Sequence, residues 1–137
     1  MKAPLFDDIL IICQEIANAS AAENDEAREA ACKKLQILCA TNQNSPNDHP
    51  LQWEALADFT EDGDQAMDIY KLALSTAEKM TLTVFQTSIT LAMAQRYQEF
   101  EEVNKAIELA EKANELAKTI DDEALKAEVN EFLNSIK

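Results

Sequence analysis

The residues able to do chemistry are few, and their spacing limits what they can do. His49 is the one histidine, beside Asp48, and no nucleophile is placed by sequence to use it. Most zinc sites need more imidazoles or thiolates in register, and a Ser–His or Cys–His pair needs both members. Cys13, Cys32 and Cys39 lie among apolar residues. Cys32 and Cys39, seven apart, share a helical face and could approach Cys13 across a helix pair, with no fourth ligand in view. The odd count without a dense framework reads as reduced thiols packed as small hydrophobes. The segment Asp58 to Asp64 imitates a calcium loop, with acids at positions 1, 5 and 7 and Gly63 at position 6. It fails at position 3, which is Thr60, and at position 12, which is Ile69 where a bidentate glutamate is needed. Paired carboxylates such as Glu101-Glu102 and Asp121-Asp122 are expected by chance among 26 acids. The sequence therefore points away from an enzyme and from any metal or cofactor.

Composition narrows the field further. One glycine in 137 residues leaves no phosphate-binding loop, no dinucleotide fingerprint and few glycine hairpins. Twelve Lys and Arg against 26 Asp and Glu give a net charge of −14. Phosphate backbones and anionic lipid need a basic face, so nucleic acid and membrane surface are disfavoured as partners, and a basic protein is favoured. The start of the chain is interrupted by Asp7 and Asp8 and does not read as a signal peptide. No stretch approaches the length of a membrane span, so the expected location is the cytoplasm.

The elements that must position any site are helices. Apolar residues at 3–4 spacing mark segments from about Pro4 to Ser20, Asn24 to Ala40, Pro50 to Phe59, Asp64 to Met80, Leu82 to Gln98, Glu102 to Thr119 and Asp121 to the end. Pro4 suits a first turn, Asn24 or Asp25 an N-cap, and Asp48 or His49 a cap before Pro50. Gly63 reads as the stop of the third helix. Thr41 to His49 is the longest loop. The whole is one all-α domain over residues 1–137, with hairpins at about 4–40, 50–80 and 82–119 and a capping helix at 121–137.

The paired segments share a register. Ile16-Ala17, Leu56-Ala57 and Met93-Ala94 each set a large residue before a small one in the first helix of a pair. The second helices carry Ala31-Leu35-Leu38, Ala66-Tyr70-Ala73 and Ala106-Ala110-Ala113. Small residues permit a close antiparallel crossing, and the larger neighbour fills the space beside it. Trp53-x-x-Leu56-Ala57 with Ala66-x-x-x-Tyr70-x-x-Ala73, and Met93-Ala94-x-x-Tyr97 with Ala106 to Ala113, resemble the tetratricopeptide repeat. The alanine spacings of 35 and 40 residues depart from the family's 34, no repeat ends in the usual proline, and Thr60 stands where Tyr97 supplies an aromatic.

That resemblance implies a right-handed antiparallel helical-hairpin stack of about seven helices, with a concave groove lined by the first helix of each pair. Carried over position by position, the groove comprises Gln14 and Asn18, then Glu54, Asp58 and Glu61, then Leu91, Gln95 and Gln98. Its central set is acidic, and the basic clamp some family members use for a peptide carboxylate is absent. The implied function is a non-catalytic adaptor, scaffold or chaperone-like module taking a basic or amphipathic segment of another protein. Small size, acidity and three repeats also look like the chaperones of bacterial secretion translocators. Two other readings stand beside it: an acidic decoy for a nucleic-acid-binding protein, and self-association through an incomplete first repeat.

Overall fold

A computed structural model describes residues 3–137. Among them there is no strand; seven helices follow in order, α1 (Phe6–Ala21), α2 (Asp25–Asn42), α3 (Pro50–Asp58), α4 (Gly63–Lys79), α5 (Thr83–Glu99), α6 (Val103–Ala117) and α7 (Glu123–Ile136). The all-α, seven-helix expectation is met. Two compact units divide the chain, residues up to 69 and residues 70–137, and the division falls inside the continuous helix α4. Along α4, Ala66, Tyr70, Ala73 and Ala77 form the expected buried stripe.

In the first unit α1 pairs with α2, and α3 packs on both. The core there is Ile9, Ile16 and Ala19 of α1, Ala31, Leu35 and Cys39 of α2, and Trp53, Leu56 and Ala57 of α3. Each full burial of a residue such as Ile16 or Leu35 contributes about 1.5–3 kcal/mol. Asn24 caps α2 by accepting from the Ala27 N–H at 3.1 Å. His49 caps α3, its Nδ1 accepting from the Leu51 N–H at 3.0 Å, with Pro50 in the first helical position as expected. Pro4 lies outside α1, whose N-cap is Leu5 in the left-handed region. In the paired register, Ala57 and Ala94 are fully buried, whereas Ala17 is exposed and Ala19 takes the buried place in α1.

Gly63 does not stop α3. That helix ends at Asp58, where the Thr60 hydroxyl donates back to the Leu56 carbonyl at 2.7 Å, and Gly63 opens α4. The carboxylate of Asp62 caps α4 by accepting from the Gln65 N–H at 2.9 Å. Left-handed backbone occurs instead at Leu5, Glu23, Asn44, Thr81 and Glu101, none of them glycine. Three of these close the same turn. After α1, α4 and α5, Glu23, Thr81 and Glu101 donate to Ser20, Glu78 and Gln98, while Asn24, Leu82 and Glu102 donate to Ala19, Ala77 and Tyr97 at 2.9 Å. This is the paired-bond helix stop that usually carries glycine at its left-handed position.

In the second unit α5 pairs with α6, and α6 with α7. One face of α6 is alanine throughout, with Ala106, Ala110, Ala113 and Ala117 all at or below 4% exposure. Ala113 packs with Leu91 and Val129, and Ala110 with Ala94 and Leu133. Thr87 and Thr90 of α5 are buried as well, each hydroxyl satisfied by donating to the carbonyl four residues back. Asp122 caps α7 by accepting from the Leu125 N–H at 3.0 Å.

Candidate functional site

Two helical stripes face each other across the first unit. Phe6, Ile9, Leu10 and Cys13 of α1 recur at i, i+3, i+4 and i+7, and Leu51, Glu54, Ala55 and Asp58 of α3 repeat the same spacing. With Phe59, which follows α3, they enclose a half-open cavity of about 240 Å³. Its lining sets the small Ala55 among larger apolar residues, Ile9 and Leu10 included. Ile9 and Ala55 are buried, whereas Leu10 is 53% exposed. Among the described residues the carboxylates on its wall are Glu54, half-buried, and Asp58, exposed, one helical turn apart.

The sequence that carries α3 is one-sided in charge. Residues 35–70 contain no lysine or arginine and seven acids. Residues 1–69 carry fourteen acids against four Lys and Arg, a net −10, and residues 70–137 twelve against eight, a net −4. The Cys13 thiol shows the effect: burial, and then the Asp58 carboxylate, raise its pKa and keep it protonated. All three cysteines are free thiols.

Behind the pocket, a buried polar cluster holds α3 to the loop before it. Asp48 Oδ1 accepts from Gln52 Nε2 and Trp53 Nε1, both at 2.7 Å, and its Oδ2 accepts from the Asn44 N–H at 2.8 Å. The Cys39 thiol donates to the Gln52 carbonyl at 3.2 Å, and burial followed by the Asp48 carboxylate pushes its pKa up to about 12. His49 is 6% exposed; burial lowers its pKa, with Asp48 acting the other way. The cluster ties α3 to the preceding loop through these bonds, while one buried atom of it, Gln52 Oε1, has no hydrogen-bond partner among the described residues.

The eight groove residues do not behave as one set. Glu54 and Asp58 share the pocket wall. Glu61 is exposed and pairs at 3.0 Å with Arg28, a cation on α2 that reading α3 alone had not brought near. Asn18 lines a different hollow with Glu15, Ala22, Ala27 and Lys34, on the flank shared by α1 and α2. Gln14 is exposed on α1, and Gln95 and Gln98 are exposed on α5. Leu91 is the correction: at 2% exposure it packs with Ala113 and Val129, flanked by Leu125 and Phe132 of α7, so it is core and offers nothing to a partner. The residues missed were Phe6, Leu10, Cys13 and Leu51, whose signal was the matching i, i+3, i+4, i+7 spacing in two neighbouring helices.

Among the described residues no cluster of three or more His, Cys, Asp or Glu is placed to hold a metal, and no helix is long and apolar enough to cross a membrane. Compared with models of known protein families, with curated proteins and with solved structures, the chain matches none.

Proposed function

We propose that this chain is a non-catalytic protein-interaction module, similar in its paired-helix register to tetratricopeptide repeats, that receives a basic or amphipathic segment of another protein. The observation that carries this is the α1–α3 pocket: an apolar hollow with two carboxylates on its wall, whose α3 side belongs to a stretch of 36 residues without lysine or arginine. An apolar surface left half open in a chain this acidic selects a partner that is apolar on one side and positive beside it. The concentration of negative charge in residues 1–69 favours a localised site over a decoy acting through dispersed charge.

Selection of random displayed peptides on the immobilised protein tests the reading. Enriched peptides are expected to carry Lys or Arg, to release at high salt, and to lose binding to a Glu54→Lys/Asp58→Lys variant. Enrichment of acidic peptides, or binding indifferent to that variant, would contradict it.

A second reading, self-association, is favoured by one observation. Ile11 of α1 and Ile37 of α2 are each 58% exposed, and the same two helices carry a hollow lined largely by alanines. Sedimentation of the wild type and of Ile11→Asp/Ile37→Asp decides it: a wild-type dimer that the variant abolishes supports self-association, and a monomer at all concentrations removes it.

A further inference from the structure

We propose that the α1–α3 pocket is an anchor site for one aromatic side chain, presented by a partner segment that carries Lys or Arg next to it. This rests on the interaction-module reading and names what that module recognises. The volume of about 240 Å³ admits a phenyl ring, since an engineered apolar cavity of roughly 150 Å³ holds benzene. Phe6 and Phe59 both line the hollow, and rings so placed favour an aromatic guest over an aliphatic one through edge-to-face packing. The floor, Ile9 and Ala55, is buried, so a ring seated there is desolvated, as interface anchors are. Leu10, half in solvent, extends the apolar surface outward to the backbone that would carry the ring.

Charge decides what flanks the ring. Glu54 and Asp58 stand one turn apart on α3, so they meet either one guanidinium or two cations a turn apart on a partner helix. An anionic neighbour would instead meet the two carboxylates, with no lysine or arginine among the described residues of the pocket wall.

Small probes separate the two halves of the proposal. 2-Phenylethylammonium, phenylacetate and propylammonium are titrated into the Cys32→Ser protein, with two readouts. One is backbone amide shifts at Phe6, Leu10 and Phe59; the other is the rate at which N-ethylmaleimide alkylates Cys13, since Cys39 is fully buried. The phenyl cation is expected to bind with a dissociation constant on the order of millimolar and to slow Cys13 alkylation saturably. Propylammonium is expected to bind about 10- to 100-fold more weakly, the loss that follows from leaving a ring-sized apolar group unburied.

Equal binding of phenylacetate overturns the charge requirement. Equal binding of propylammonium overturns the anchor while leaving the basic-partner reading standing. No binding of the phenyl cation overturns the anchor outright, and the peptide selection then decides the wider reading by itself. Ala55→Leu fills the hollow and is expected to abolish phenylethylammonium binding without lowering the melting temperature. Should that variant misfold, Glu54→Gln/Asp58→Asn leaves the hollow in place and is expected to weaken the phenyl cation about 10-fold while leaving phenylacetate no weaker; unchanged selectivity overturns the proposal.

Discussion

Replacing Thr81 by glycine should make this protein more stable, although glycine ordinarily loosens a fold. Thr81 sits at φ 55 in the turn after α4, with an exposed side chain, and the turn is closed by the Leu82 and Thr81 amides on Ala77 and Glu78. A residue with a Cβ costs roughly 1–2 kcal/mol in the left-handed region, and a β-branched one is the least suited to it. Glycine removes that cost but adds about 0.5–1 kcal/mol of unfolded-state entropy. The balance is a gain of about 1 kcal/mol. Unfolding entropy scales with chain length, so this raises the melting temperature by roughly 3–7 °C, the smaller value if all residues melt together and the larger if only residues 70–137 do. The assay is thermal unfolding followed by circular dichroism for Thr81→Gly, Thr81→Asn, Thr81→Ala and the wild type. The expected order of stability is Gly, Asn, Ala, Thr. Alanine keeps a Cβ and tests whether the gain comes from the backbone and not from the lost hydroxyl. A Thr81→Gly protein no more stable than Thr81→Ala would refute the reasoning, and with it the claim that these turns hold strain.

Other outcomes follow from the buried cluster and the core. Asp48→Asn presents an amide group to the Asn44 N–H or strands one of the two side-chain donors, and should destabilise by about 1–3 kcal/mol in urea unfolding. Because the folded His49 pKa is lowered, the unfolded chain takes up a proton near pH 6.5 that the folded chain refuses; stability is lost as pH falls below that value, and His49→Asn, which keeps a cap, should flatten this limb relative to the wild type. Cys39 works in the opposite sense: its pKa of about 12 lies above the unfolded 9.0, so stability declines as pH rises past 9, and Cys39→Ala should remove that decline. Leu91→Ala should cost about 2–5 kcal/mol by emptying the contact with Ala113 and Val129, while leaving peptide binding by the folded protein unchanged.

The helices were legible because periodic apolar spacing and capping residues are local signals. Asn24, His49 with Pro50, and Asp122 stand where their chemistry puts them. What failed were inferences from one residue's usual role. Glycine usually stops a helix, yet this chain stops helices with Glu23, Thr81 and Glu101 and places Gly63 at a helix start. Position in a repeat points Leu91 outward, but α7 supplies Val129, Leu125 and Phe132 to cover it, a contact set by residues 34 to 41 positions away. Within the site, Glu54 and Asp58 follow from the repeat-like register of the first helix of each pair. The hollow beside them required two helices to be set face to face, and the Arg28–Glu61 pair required a third.

The uneven division of charge has a consequence for how the molecule responds to its ionic surroundings. Residues 1–69 carry a net −10 and residues 70–137 a net −4, so mutual repulsion is concentrated in the first half. Added salt shortens the reach of that repulsion to about 8 Å at 0.15 M, which relieves the first half more than the second. The two halves should therefore diverge in dilute buffer, with amide hydrogen exchange fastest in α1 to α3, and converge as ionic strength rises. A cationic segment seated against Glu54 and Asp58 would act on the same imbalance from within, tightening the half of the chain that binds it and leaving the other half nearly unaltered.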